Sequence, residues 1–95
     1  MKYEIILYTL DDCEGCKILR KNVNEVIQKN TTLEITVNEI NSTGSEKKVL
    51  RQLSPYKVYD FPAMLFVKNG IITLADSGSR PITVLQRYID LYFKK

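Results

Sequence analysis

Both cysteines of the chain lie in one stretch, Asp11-Asp12-Cys13-Glu14-Gly15-Cys16-Lys17. An apolar run, Ile5-Ile6-Leu7-Tyr8-Thr9-Leu10, precedes it and a helical pattern follows it, so the pair lies where a strand passes into a helix. A cysteine at the start of a helix lies among unpaired backbone N–H groups at the positive end of the helix dipole, which favours a thiolate. The second cysteine lies one turn further on the same face, within reach of the first. The stretch therefore predicts thiol–disulfide exchange.

The residues around this stretch predict a β-α-β unit. Residues 2–10 are apolar on both faces, which is typical of a central strand. A helix over about residues 13–30 is predicted from an apolar stripe of Ile18, Leu19, Val23, Val26 and Ile27. Alternation of Leu33, Ile35 and Val37 with polar residues then predicts a half-exposed strand near an edge of the sheet. A right-handed crossover would make the two strands parallel.

The second half of the chain predicts a further helix, a hairpin and a last helix. Thr43 and Glu46 have the spacing of a capping box for a short helix to about Leu53, with Val49, Leu50 and Leu53 facing inward, and Ser54-Pro55 ends this helix. Asn69-Gly70 between two apolar runs, 63–67 and 71–74, predicts an antiparallel hairpin. Pro81 is expected at the first position of the last helix, whose apolar stripe is Ile82, Leu85, Tyr88, Ile89, Tyr92 and Phe93.

Composition limits the class of protein. The chain has 95 residues, of which 44% are hydrophobic and 26% charged, and its net charge is +3. These values fit one soluble domain over residues 1–95, without disorder or a membrane span. No secretory signal is visible at the N-terminus, so we expect a reducing, cytoplasmic location. Lys and Arg are interleaved with Asp and Glu, so we expect neither nucleic acid nor a membrane as a partner. We also expect the chain to be a monomer.

The chain resembles the thioredoxin fold, an α/β fold with a four-stranded mixed sheet flanked by three helices in the order β-α-β-α-β-β-α. Cys13-Glu14-Gly15-Cys16 lies between the first strand and the first helix, as in that family. The segment Phe61-Pro62-Ala63-Met64-Leu65-Phe66-Val67-Lys68-Asn69-Gly70 is similar to the thioredoxin segment in which a proline opens the strand facing the active site. Ser77-Gly78-Ser79 resembles the glycine-containing exit into the last helix, and Tyr8-Thr9-Leu10-Asp11-Asp12-Cys13 resembles the shorter glutaredoxin entry.

The resemblance implies a substrate-binding surface formed by Phe61, Pro62 and Gly78. It also implies that the peptide bond before Pro62 is cis and that the backbone beside it pairs with the substrate chain. Four positions depart from thioredoxins: Leu7 replaces a buried aspartate, Asp12 replaces a tryptophan, and Glu14-Gly15 replaces Gly-Pro. Leu10 and the segment Ser77-Gly78-Ser79-Arg80 depart from the glutathione-binding pattern of glutaredoxins.

Together the cysteines and the resemblance predict a thiol–disulfide oxidoreductase, a dithiol electron carrier that reduces protein disulfides without a cofactor or a metal. Cys13 is expected to be the attacking thiolate and Cys16 the resolving thiol. The expected partners are a disulfide-containing target protein and an electron donor, either a thioredoxin-reductase-like protein or glutathione. The alternatives are a glutathione-dependent glutaredoxin and an iron–sulfur or zinc-binding module that uses the same cysteines.

Overall fold

A computed structural model describes residues 1–95 and contains four strands and three α-helices in the predicted order. In chain order the elements are β1 (Tyr3–Thr9), α1 (Glu14–Gln28), β2 (Ile35–Asn41), α2 (Glu46–Leu53), a 3-10 helix (Ser54–Tyr56), β3 (Ala63–Lys68), β4 (Ile71–Ser77) and α3 (Ile82–Tyr92). The 3-10 helix continues α2 by one turn, and Pro55 lies within it. None of the helices is long and apolar enough to span a membrane.

The four strands form one mixed sheet in the order β2-β1-β3-β4. The first strand pairs in parallel with β2 and antiparallel with β3, so its predicted central position is confirmed, as is the edge position of β2. In this register Leu7 lies opposite both Glu39 of β2 and Met64 of β3. The parallel pairing brings the carboxyl ends of β1 and β2 to the same edge of the sheet, and the loops leading to α1 and α2 therefore start side by side.

Helices pack against both faces of the sheet, so the central strands β1 and β3 bury apolar side chains on both sides. One face packs against α1 and α3, and its buried cluster consists of Ile5, Leu7, Leu19, Val23, Val26, Met64, Phe66, Leu85, Ile89 and Phe93. The opposite face packs against α2, with a buried cluster of Val49, Leu53, Val58, Ala63, Leu65 and Val67. The apolar stripe predicted on each helix thus packs against one face of the sheet, with the exception of Ile18 described below.

The hairpin between β3 and β4 confirms the prediction from Asn69-Gly70. Both residues have positive φ, 53° and 81°, as a two-residue turn between twisted strands requires. The turn is also tied to the start of the chain, because the backbone N–H of Asn69 donates to the carbonyl of Lys2 and the Asn69 side chain accepts from the Lys2 N–H.

Three local predictions are wrong. Ile18 was expected on the buried stripe of α1, yet it is 48% exposed because the sheet covers only the side of the helix that carries Leu19 and Val23. The capping box does not form: Ser45 precedes α2 without a side-chain cap, and Thr43 instead accepts a hydrogen bond from the Asp11 N–H at 2.8 Å. Pro81 precedes the first residue of α3 rather than opening the helix.

Several element boundaries also differ from the predicted ones. The helix predicted over residues 13–30 begins at Glu14 and ends at Gln28. The second strand continues to Asn41 and the fourth to Ser77, further than the alternation of apolar residues reaches. In both cases ladder pairing with a neighbouring strand extends the element, and the side-chain pattern does not record this pairing.

Candidate functional site

Cys13 caps the N-terminus of α1. Its backbone is extended, and its Sγ accepts a hydrogen bond from the backbone N–H of Cys16 at 3.1 Å. The sulfur therefore stands where an oxygen of Ser, Thr or Asp usually satisfies a free N–H of the first turn. The same N–H group and the positive end of the helix dipole favour a thiolate at this position when the pair is reduced.

Cys13 and Cys16 are joined by a disulfide, and their Cα atoms lie 5.2 Å apart. The two residues differ in exposure: Cys16 is 1% exposed, whereas Cys13 is partly open to solvent. Cys16 is turned toward the sheet on the same side of α1 as Leu19 and Val23, which fixes it behind its partner. A large reactant therefore reaches Cys13 before it can reach Cys16.

Pro62 lies against the first turn of α1. The Phe61–Pro62 peptide bond is cis, as the resemblance implied. A Cβ atom built on Gly15 would lie 3.4 Å from Cδ of Pro62, so the proline ring contacts the helix between the two cysteines. A distance of 3.4 Å is an ordinary van der Waals contact, so the ring packs closely against this turn without a clash.

Gly78 completes this group. Its backbone N–H donates to the carbonyl of Pro62 at 2.7 Å, and its φ of +89° is one that glycine adopts without strain. Phe61 is partly exposed next to them. The structure thus places Phe61, Pro62 and Gly78 together beside the cysteines, although they are distant in sequence from the cysteine pair.

An ionic network that the sequence reasoning missed holds the segment around Gly78. Asp76, at the end of β4, accepts hydrogen bonds from Arg80 (Nε at 2.8 Å and Nη2 at 3.0 Å) and from the Tyr88 hydroxyl at 2.8 Å. Burial raises the pKa of Asp76, but the hydrogen bonds from Arg80, Tyr88 and the Ser77 N–H outweigh it and leave the pKa below its usual value. The Arg80 carbonyl in turn accepts from Asn22 of α1.

Only part of this network could have been predicted from the sequence. Asp76 and Arg80 have the i, i+4 spacing of an ion pair, but the spacing is informative only within a helix and these residues bracket a loop. Tyr88 was assigned to core packing, and it does pack edge-on against Phe66 with ring centroids 6.1 Å apart. Its hydroxyl had no partner that the sequence could identify.

A second polar cluster links α1 to β1 and β2, one helical turn after Cys16. Arg20 donates to both carboxylate oxygens of Glu39, at 2.6 and 2.7 Å, and the buried Thr9 hydroxyl donates to the same carboxylate at 3.0 Å. The Arg20 hydrogen bonds are the main reason that the pKa of Glu39 lies below its usual value. Leu7, opposite Glu39 in the sheet, is fully buried, so β1 supplies no carboxylate behind the cysteines.

The loop before Cys13 is acidic and exposed. Asp11 is held by the loop after β2, because its N–H donates to the Thr43 hydroxyl and its carboxylate accepts from Asn41 at 2.7 Å. Asp12 is exposed and makes no ion pair, and its φ is +52°. Glu14 lies 3.4 Å from Lys17, but both side chains are well exposed, so this pair contributes less than about 1 kcal/mol.

A metal or cluster site has few ligands here. The chain contains two cysteines and no histidine, and no three His, Cys, Asp or Glu side chains come together in an arrangement that could hold a metal ion. A zinc ion or an iron–sulfur cluster at Cys13 and Cys16 would therefore need ligands from a second chain or from another molecule.

Comparison with known proteins adds a fold relationship. No protein-family model and no curated protein sequence matches the chain. Among solved structures, the chain is similar to thioredoxin-2 of the malaria parasite, described as a component of the parasite's protein secretion machinery, with a TM-score of 0.73 and 15% identity over 94% of this chain and 82% of that one. It is also similar to a malarial protein with a TM-score of 0.72 and 13% identity, over 98% of this chain and 99% of that one.

The chain therefore has the thioredoxin-like fold, with a four-stranded mixed sheet and three helices. At such low identity this similarity establishes the fold, and function has to be argued from the site. The fold and the bonded Cys13–Cys16 pair together support thiol–disulfide oxidoreductase chemistry in general.

Proposed function

We propose that this chain is a thiol–disulfide oxidoreductase that reduces disulfide bonds in target proteins. One observation carries the proposal: a disulfide at the N-terminus of α1 has one accessible sulfur, Cys13, and one buried sulfur, Cys16. The helix N-terminus favours the thiolate of the accessible cysteine, and burial protects the resolving cysteine from solution.

The reaction begins with the reduced chain. The Cys13 thiolate attacks one sulfur of a target disulfide; the target S–S bond breaks, one target thiolate leaves, and a mixed disulfide forms at Cys13. Cys16 then attacks the sulfur of Cys13, so the mixed disulfide breaks and the second target thiolate leaves. Two electrons and two protons have passed from the chain to the target, and the chain is left with the Cys13–Cys16 disulfide seen in the structure.

The target chain is proposed to lie across Phe61, Pro62 and Gly78. Three observations support this: Pro62 contacts α1 at Gly15, between the cysteines; Gly78 is hydrogen-bonded to Pro62; and Phe61 is partly exposed. Because Gly78 has no side chain, a second backbone can approach it closely. The proposed surface is thus assembled from two separate parts of the chain, residues 61–62 and residue 78.

After each turnover, an electron donor must reduce the Cys13–Cys16 disulfide again. We favour a thioredoxin-reductase-like protein over glutathione, because Asp11 and Asp12 beside Cys13 would repel the net negative charge of glutathione. We further propose that the chain acts as a monomer in the cytoplasm, where thiols are kept reduced, and that neither nucleic acid nor a membrane is its partner.

Two cysteine variants test the mechanism. The C16S variant, mixed with an oxidised protein substrate, is expected to accumulate a mixed disulfide at Cys13 that is visible by non-reducing electrophoresis and mass spectrometry. The C13S variant serves as the matched control and is expected to form no such species and to lose turnover. If the C16S variant turns over at the wild-type rate, the two-cysteine mechanism is wrong.

The reduction potential of the pair tests the choice of electron donor. Poising the protein in dithiol buffers and counting free thiols with a mass tag would give this potential directly. A value near about −270 mV would support a reductase-fed carrier, and one near about −200 mV would favour exchange with glutathione. Failure to form the intramolecular disulfide at any poise, together with visible absorbance after anaerobic purification, would replace this proposal with cluster binding.

A further inference from the structure

The exposed side of α2 carries an unpaired group of cations. Lys47, Lys48 and Arg51 are all exposed, and none of them takes part in the four ion pairs of the chain. Glu46 is the one acidic residue of the helix. These three residues are called the α2 basic surface below. They line a shallow open cavity of about 580 Å³ together with Gly44, Ser45 and Glu46.

Two of these cations disfavour their own helix, whereas Arg51 lies in its last turn, where the dipole favours a cation. Lys47 and Lys48 lie in the first turn of α2, at the positive end of the helix dipole, where cations are disfavoured. Arg51 follows them by three and four residues, a spacing at which like charges repel. Glu46 in the same turn offsets one of the two lysine charges. The local conflict that remains is of a kind expected at a site that serves a partner.

The α2 basic surface follows a loop that contacts the loop before the redox pair. The loop that leads into α2 is hydrogen-bonded to the loop that leads into Cys13: the Asp11 N–H donates to Thr43, and the Ser42 N–H donates to the carbonyl of Thr9 at 2.7 Å. Both loops leave the carboxyl edge of two neighbouring parallel strands. A protein in contact with Cys13 can therefore also reach α2 without a change in the fold.

We propose that the α2 basic surface binds an acidic segment of the protein whose disulfide exchanges with Cys13. This inference rests on the proposed function and specifies its partner. Charge complementarity selects Asp and Glu side chains for the basic surface. The partner is a protein rather than a nucleic acid, because the exposed Asp11, bonded to the loop before α2, and the exposed Asp12, next to Cys13, would repel a continuous polyanion. The same two aspartates favour one orientation of the acidic segment, toward α2 and away from Cys13.

Reduction of two synthetic peptide disulfides tests this proposal. One peptide carries four Glu residues displaced from its cystine, and its partner peptide carries four Gln residues instead. The reduced wild-type protein is expected to reduce the Glu peptide at least about threefold faster at low ionic strength, and the preference should fall as salt is added. The K47Q/K48Q variant should lose the preference. The K21Q/K29Q variant removes the same charge from two exposed positions, one within α1 and one at its C-cap, and should keep the preference.

The possible outcomes separate the two proposals. If neither peptide is reduced, the proposed function fails. If both peptides are reduced at one rate by the wild-type protein, or if K21Q/K29Q loses the preference as K47Q/K48Q does, the function stands and the docking surface is wrong. Tight binding of a single-stranded oligonucleotide to the wild-type protein, lost in K47Q/K48Q, would assign the surface to nucleic acid and overturn the proposal.

Discussion

Replacement of Asp76 by Asn should destabilise the protein and loosen the segment that carries Gly78. The carboxylate accepts two hydrogen bonds from Arg80, one from the Tyr88 hydroxyl and one from the Ser77 N–H, and its side chain is 18% exposed. The amide removes the charge and turns one acceptor into a donor that faces donors. Hydrogen bonds to a charged group contribute about 1.5–3 kcal/mol each when buried.

Solvent at Arg80 reduces this contribution, because the Arg80 side chain is 36% exposed. We therefore expect the free energy of unfolding to fall by about 2 kcal/mol in total, which for a domain of this size lowers the midpoint of thermal unfolding by roughly 10 °C. Circular dichroism in urea and on heating measures both quantities, since the chain has no tryptophan.

The D90N variant is the matched control. Asp90 also accepts from Gln86 of α3 and pairs with Lys94 just after that helix, but it is 52% exposed, so we expect little change in its case. A loss below about 0.5 kcal/mol for D76N, the size of an ordinary surface substitution, would show that the network does not hold this segment. An equal loss for D90N would show that burial is not the reason.

The effect of D76N should also depend on pH. Because the pKa of Asp76 is lowered in the folded state, its carboxylate stabilises the fold at pH values above the pKa of an unfolded aspartate, about 3.9, and this stabilisation is lost as the pH falls through the folded pKa. The difference between wild type and D76N should therefore be constant between about pH 5 and pH 7 and shrink below about pH 4. A difference that grows on acidification would contradict the assignment.

Two further changes test the structure at other positions. Gly70 has a φ of +81° with no atom within 4 Å of a built Cβ, so G70A should cost about 1 kcal/mol from backbone strain alone, whereas G15A, within a helix and in ordinary contact with Pro62, should be neutral or stabilising; equal losses in urea unfolding would contradict this difference. E39Q should lose the ion pair with Arg20 at a cost below about 1 kcal/mol because both groups are partly exposed, and the loss should vanish as the pH falls below the ordinary carboxylate range; a loss that persists at low pH would point to packing instead.

Predictions based on neighbouring residues were confirmed most often. Asn69-Gly70 placed the hairpin correctly because a two-residue turn with positive φ depends on those residues alone. Helical periodicity likewise identified Leu85, Ile89 and Phe93 as core residues. The same rule failed for Ile18, because periodicity reports which side of a helix is apolar and not how far neighbouring elements extend over it.

Capping and ionic contacts were harder to predict. Thr43 and Glu46 have the spacing of a capping box, but the loop before Cys13 offers the Asp11 N–H to the Thr43 hydroxyl, and that contact forms instead. The competing donor comes from a residue 32 positions away in sequence. The spacing of neighbouring residues does not reveal this donor, because only the parallel pairing of β1 and β2 brings it close to Thr43.

The sequence by itself determined the order of strands and helices and the position of the cysteine pair at the start of a helix, since periodicity, turn residues and helix ends act over a few residues. The thioredoxin-like fold followed from the resemblance of the cysteine and proline segments to that family, and the structure confirms it. Only the tertiary structure decided which polar groups surround the pair. The contact of Pro62 with Gly15 and the binding of Arg80 to Asp76 depend on chain segments that come together when the sheet forms, and the spacing of residues within one segment does not record such contacts.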